Sequence, residues 1–103
     1  MQFSADFTQA VYTEIKKVPY ATVISYGQLA LYAGYPGAAR AVGQIAHFGP
    51  PNLPWHRLVH ANGKLANGYV PGGTAQQKKQ LAAEGVFCRS NDTIDMELYQ
   101  WKG

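Results

Sequence analysis

Three histidines, one cysteine and a tryptophan in a Pro-Trp-His-Arg run are the side chains of this 103-residue sequence whose types could carry chemistry. His47, His56 and His60 lack the spacing of a helical zinc site. No carboxylate stands near them in sequence, so no metal centre is expected. Cys88 follows Val86-Phe87, an apolar setting in which a thiol is buried and inert, and as the only cysteine it rules out a disulfide framework or an iron–sulfur cluster. No phosphate-cradling glycine fingerprint occurs, and no cofactor is expected. Trp55, in Pro54-Trp55-His56-Arg57, has two readings: a core anchor, or a rigid aromatic wall for a planar ligand such as a base.

The charges point the same way as the second reading. Residues 15–83 contain Lys16, Lys17, Arg40, Arg57, Lys64, Lys78 and Lys79 and no Asp or Glu; all six acids lie outside that stretch. A basic middle flanked by acidic ends is the footprint of a chain that faces a polyanion. Tyr20, Tyr26, Tyr32, Tyr35, Phe48, Trp55 and Tyr69 are interleaved with these cations, a mixture that suits stacking on bases while cations hold phosphates. The alternative is a solvated surface over ordinary core aromatics.

These residues must be positioned by a small set of elements. Residues 4–17 carry Phe7, Val11 and Ile15 at helical spacing, with Ser4 as N-cap and Pro19 as the stop. Ser25-Tyr26-Gly27-Gln28 fits a capping box that opens a second helix ending at Gly34. The turn Tyr35-Pro36-Gly37 leads into a third helix over 38–47, so the pair reads as a helix-turn-helix. Its second helix is rich in small residues (Ala38, Ala39, Ala41, Gly43), which let the backbone come close either to a neighbouring helix or to something outside the protein. Asn62-Gly63 between Leu58-Val59 and Leu65 predicts a β-hairpin over 57–66 with a type I′ turn. A glycine-rich loop over 67–73 precedes a second capping box, Thr74 with Gln77, and a helix that ends at Gly85. The tail over 86–101 reads as a short strand pair or a covering segment. The sum is one α+β domain over residues 1–103, mostly helical and winged-helix-like, with a helix-turn-helix and one short hairpin.

Three motifs in register carry a resemblance: Ser25-Tyr26-Gly27-Gln28-Leu29-Ala30, Ala38-Ala39-Arg40-Ala41-Val42-Gly43 and Pro54-Trp55-His56-Arg57-Leu58-Val59. In their order and spacing they are similar to the DNA-binding half of the O6-alkylguanine-DNA alkyltransferases, whose Pro-Cys-His-Arg motif supplies the Cys that takes the alkyl group. Trp55 stands where that Cys belongs, and an indole cannot act as a thiolate nucleophile. The chain therefore resembles the alkyltransferase-like proteins, which bind O6-alkylguanine in DNA without repairing it. The segment before Pro54 is shorter than in the repair enzymes, and Gly68-Tyr69 departs from their Tyr-Ser-Gly-Gly pattern.

The resemblance implies roles. Tyr26 would press on the phosphate beside the target nucleotide, and Arg40 would enter the base stack in its place. Trp55, Pro54 and Tyr69 would line the pocket for the flipped base. Gly27, Ala38, Ala39 and Gly43 would lie against the backbone and minor groove. His56 and Glu84 match the pair that the repair enzymes couple to their Cys; here a structural hydrogen bond is expected, with Arg57 tying the hairpin to the loop. The implied activity is lesion binding in duplex DNA with nucleotide flipping and no catalysis, flagging damage for nucleotide excision repair proteins. A plain winged-helix regulator blind to damage and a residual enzyme using Cys88 are the competing readings. With no long apolar run and an N-terminus carrying Asp6 and Glu14, an intracellular monomer is expected, cytoplasmic and nucleoid-associated if bacterial, with no membrane contact.

Overall fold

The apolar residues Phe7, Val11 and Ile15 fall on one face of helix α1 (Ala5–Lys16), and that face is buried. The computed structural model describes residues 5–66, 68–69 and 72–103, so Ser4 and part of the glycine-rich loop lie outside the described residues. Strand β1 (Ile24–Ser25) runs directly into α2 (Tyr26–Tyr32) through the expected capping box. Gln28 N–H donates to Ser25 Oγ at 3.1 Å, and Ser25 N–H donates to Gln28 Oε1 at 3.3 Å. After Gly34, at φ 89°, and a short turn, α3 (Ala39–His47) packs on α2 to complete the helix-turn-helix. A single 3-10 turn, Trp55–Arg57, precedes strand β2 (Leu58–Val59). Helices α4 (Gly73–Ala83) and α5 (Met96–Tyr99) follow.

The strands pair with register Ile24↔Leu58 and Ser25↔Val59, and they run parallel. Alternation along the chain sends Ile24 and Leu58 into one apolar cluster, with α1, α2 and α3. Val23 and Val59 point into a second cluster with Leu65, Leu81, Val86 and Ile94. The short strand pair is the seam between the two.

The α+β, mostly helical architecture holds, with a correction at the hairpin. The Asn62-Gly63 turn forms, closed by His60 N–H to Lys64 O at 2.9 Å, but its arms do not pair beyond it. In that register Ala66 N–H would donate to Leu58 O. Instead the Gln77 side chain sits between them, accepting from Ala66 N–H at 2.8 Å and donating to Leu58 O at 2.8 Å and His56 O at 3.1 Å. Gln77 is fully buried and satisfies three backbone groups. Gln77 is therefore not a capping residue either: α4 begins at Gly73, one residue before Thr74, after Gly72 in the left-handed conformation. The tail covers the second cluster rather than forming a strand pair. It touches the body through single bridges, Val23↔Gln100 and Lys64↔Thr93.

Candidate nucleic-acid interface

Trp55 reconciles its two readings. Its side chain is only 8% exposed and belongs to the first apolar cluster, yet one face lines an open cavity of about 490 Å³. Indole Nε1 donates to Pro50 O at 2.9 Å, and the ring meets Tyr12 edge to face at a centroid distance of 6.1 Å. The ring is also fixed by what is missing beside it. A Cβ on Gly49 would lie 2.6 Å from Trp55 Cζ2 and 3.0 Å from Ile45 O, so glycine is required there to admit the indole. The stiff Pro50-Pro51 segment thus supplies an acceptor, and Gly49 the space, for one aromatic wall.

The other walls come from α2, α3, the 60–66 turn and the loop before α4. Tyr26, the first residue of α2, lies half-buried with its ring 5.0 Å from His60, and burial pushes its phenol above the ordinary value. Ala39, Arg40, Gly43, Ala46 and His47 present one face of α3 to the cavity, at helical spacing. Arg40 is exposed and makes no ion pair among the described residues. The start of α3 has no side-chain cap and no acid in its first turn, which leaves the positive end of the helix dipole beside Arg40. Gly43 has room for more: a Cβ there would meet only the Tyr26 ring, at 3.6 Å. Its smallness is not demanded by helix packing, which favours the outward reading of these small residues. Tyr69 closes the opposite side and hydrogen-bonds Gln80; burial raises its phenol, against the lowering effect of that bond.

Six of the expected site residues therefore meet in one cavity: Tyr26, Ala39, Arg40, Gly43, Trp55 and Tyr69. Pro54 does not line it and faces a neighbouring cleft. Ala38 packs against the first apolar cluster, and Gly27 is exposed on α2 outside the cavity. Sequence reasoning missed His47, His60, Ala46 and Gly49. For His47 and Ala46 a signal existed, since both fall on the helical face defined by Arg40 and Gly43. His47 ties the loop to α3: its Nδ1 lies 3.0 Å from Gly68 O, and because a carbonyl only accepts, that nitrogen carries the proton. Gly49 gave no local signal, because its reason is a ring six residues away.

Behind Trp55 lies a charged cluster. His56 Nε2 and Glu84 Oε2 are 2.6 Å apart, and Arg57 donates from Nε and Nη2 to the same carboxylate at 3.0 and 2.8 Å. Arg57 Nη1 also donates to Val18 O at 2.8 Å, and Ala21 N–H donates to Glu84 Oε1 at 2.9 Å. Burial alone would raise the Glu84 carboxyl. The bonds from Arg57, Ala21 and His56 overcome this and hold it at about 2. Arg57 thus ties α1 and the end of α4 to the Trp55 turn, a wider role than hairpin to loop. The basic middle is partly neutralised in the same way, with Lys17 on Glu14 and Lys78 on Asp92. Cys88 packs at the second cluster, away from the cavity, and burial raises its thiol, with smaller opposing effects of Lys78 and Asp92.

Residues 6–86 match the family model for the 6-O-methylguanine DNA methyltransferase DNA-binding domain. The chain is 34% identical over 103 residues to alkyltransferase-like protein 1 of Schizosaccharomyces pombe, covering 94% of this chain and 95% of that one. It is 36% identical over 104 residues to the DNA base-flipping protein of Escherichia coli, covering 98% and 78% respectively. The fold is similar to that of S. pombe Atl1 crystallised with damaged DNA containing O6-carboxymethylguanine, at a TM-score of 0.86 and 31% identity over 99% of this chain and all of that one. No helix among the described residues is long and apolar enough to cross a membrane.

Proposed function

This chain belongs to the 6-O-methylguanine DNA methyltransferase DNA-binding-domain family, in its alkyltransferase-like branch, and from that membership we propose that it is a non-enzymatic sensor of O6-alkylguanine in duplex DNA. The observation that carries the reading is Trp55: an indole walls the cavity at the position where the family's repair enzymes hold their alkyl-accepting Cys. An indole offers a face for a base and no nucleophile for its alkyl group, so the lesion is held and not repaired.

The steps follow from the side chains. The α3 face made of Ala39 and Gly43 enters the minor groove, where small residues permit close approach. Flipping costs a few kcal/mol of unstacking and unpairing, on the order of what one or two good contacts return, and less at a damaged base. Tyr26 presses on the adjoining phosphate, and Arg40, free of any ion pair among the described residues, stacks its flat guanidinium in the vacated place. The extruded base lies between Trp55 and Tyr69. A cavity of about 490 Å³ is of the size that receives small planar ligands. On this reading one such domain spans residues 1–103 and acts as a monomer. The stable complex then flags damage for nucleotide excision repair proteins, inside the cell and on the nucleoid of a bacterial one.

The test is a titration on two duplexes that differ only in guanine or O6-methylguanine, at fixed salt because phosphate contacts make affinity salt-dependent. Preference for the lesion, with the methyl group still on the DNA afterwards, is the expected result. Equal affinity for both, or normal lesion binding by Arg40→Ala, would overturn the flipping mechanism.

A further inference from the structure

Tyr69 is a wall shared by two cavities. Its ring lines the lesion cavity, while its hydroxyl donates to Gln80, which lines only a second cleft of about 550 Å³ on the far side. The two differ in chemistry. Around Trp55 and Tyr69 the first is lined by Ala39, Gly43, Ala46, Leu58 and Ala66, so its inner part is apolar. The second holds Lys16, Asn52, His56, Arg57 and Gln80. Within it His56 and Arg57 are spoken for by Glu84. Lys16, exposed at the end of α1, has no ion partner among the described residues and is the one uncompensated charge there.

An apolar chamber followed by a cationic one, with a single phenol between them, matches a ligand that is apolar near its attachment and anionic at its tip. Resting on the lesion-binding reading above, we infer that the second cleft is a subsite for long O6 substituents that end in a carboxylate or similar anion. Tyr69 is the partition such a chain must displace, and Lys16 is the cation that receives its tip. A methyl group ends well short of Tyr69 and gains nothing from the cleft. A chain that passes it breaks the Tyr69–Gln80 hydrogen bond and exchanges it for a charge-assisted contact.

The experiment measures affinity for duplexes carrying O6-methylguanine, O6-pentylguanine and O6-(5-carboxypentyl)guanine, in the unaltered protein, Lys16→Gln and Tyr69→Phe. Lys16→Gln is expected to lower affinity for the carboxypentyl adduct by about fivefold relative to the pentyl adduct, the scale of one exposed charge pair. Tyr69→Phe, which keeps the ring and removes the bond to Gln80, is expected to raise the ratio of pentyl to methyl affinity by about three- to tenfold, the scale of one hydrogen bond. Equal effects of Lys16→Gln on the pentyl and carboxypentyl duplexes would reduce Lys16 to a general DNA charge. Equal effects of Tyr69→Phe on methyl and pentyl would make Tyr69 a contact to the base alone. Either result overturns the subsite. Failure of the parent reading shows separately, as loss of preference for O6-methylguanine over guanine in the unaltered protein.

Discussion

Gly43→Ala separates folding from binding, because the two should move in opposite directions. Gly43 lies in the middle of α3, outside the left-handed region of φ, and a methyl group there would meet only Tyr26 Cε1 at 3.6 Å and Cδ1 at 3.9 Å. Those are ordinary contacts, so the substitution carries no packing penalty. Replacing a mid-helix glycine by alanine stabilises by about 0.5–1 kcal/mol, chiefly by reducing the entropy of the unfolded chain. For a domain of this size that raises Tm by about 2–6 °C. The same methyl projects from the α3 face that would enter the minor groove, between Arg40 and His47. Overfilling a close contact costs about 1–3 kcal/mol, so affinity for an O6-methylguanine duplex should fall by roughly five- to a hundredfold. Thermal melting and fluorescence anisotropy on one preparation read both quantities. A fall in Tm would mean that Gly43 serves internal packing after all. A rise in Tm with unchanged affinity would mean that this face of α3 does not meet DNA.

Three further outcomes follow from the same geometry. Glu84 is held at about 2 against an ordinary 4.5, so its contribution is complete above pH 4.5 and is lost as pH falls toward 2; allowing for solvent screening, about 2 kcal/mol is at stake. Urea titrations at several pH values should show that loss in the unaltered protein and a flatter acid limb in Glu84→Gln. Gly49→Ala drives a Cβ to 2.6 Å from the Trp55 ring, so a loss of about 1–3 kcal/mol is expected, together with red-shifted Trp55 emission in a Trp101→Phe background and weakened lesion preference; unshifted emission with normal binding would contradict the role given to Gly49. Gln77→Leu strips partners from Ala66 N–H, Leu58 O and His56 O and should cost about 2–4 kcal/mol in a denaturant melt. A neutral result there would mean that the hairpin arms close on each other once the amide is gone.

Local chemistry in the chain was enough to read α1, the Ser25–Gln28 capping box, the helix-turn-helix and the glycine at the end of α4. Each of these is decided within a few residues: an apolar period, a hydroxyl three residues before a glutamine, a backbone that must turn left-handed. The motif residues Tyr26, Arg40 and Trp55 were legible for the same reason, since their spacing along the chain is short and their types are distinctive. Gln77 was misread because Thr74 and Gln77 have the spacing of a cap, and nothing local says that the amide is wanted elsewhere. The hairpin was misread with it.

Sequence alone determined that a basic, helix-rich chain with a Pro-Trp-His-Arg run has no nucleophile where its relatives carry one. Tertiary structure alone decided that Tyr26, Arg40, Trp55 and Tyr69 surround one cavity, that Gly49 exists to admit an indole, and that Glu84 holds the Trp55 turn from the far end of the chain. The difference is one of range. Caps, turns and periodicity are fixed by neighbours along the chain. A cavity wall, a buried amide between two strand arms and a carboxylate shared by Arg57, His56 and Ala21 are fixed only by burial, which brings distant polar groups where water cannot satisfy them.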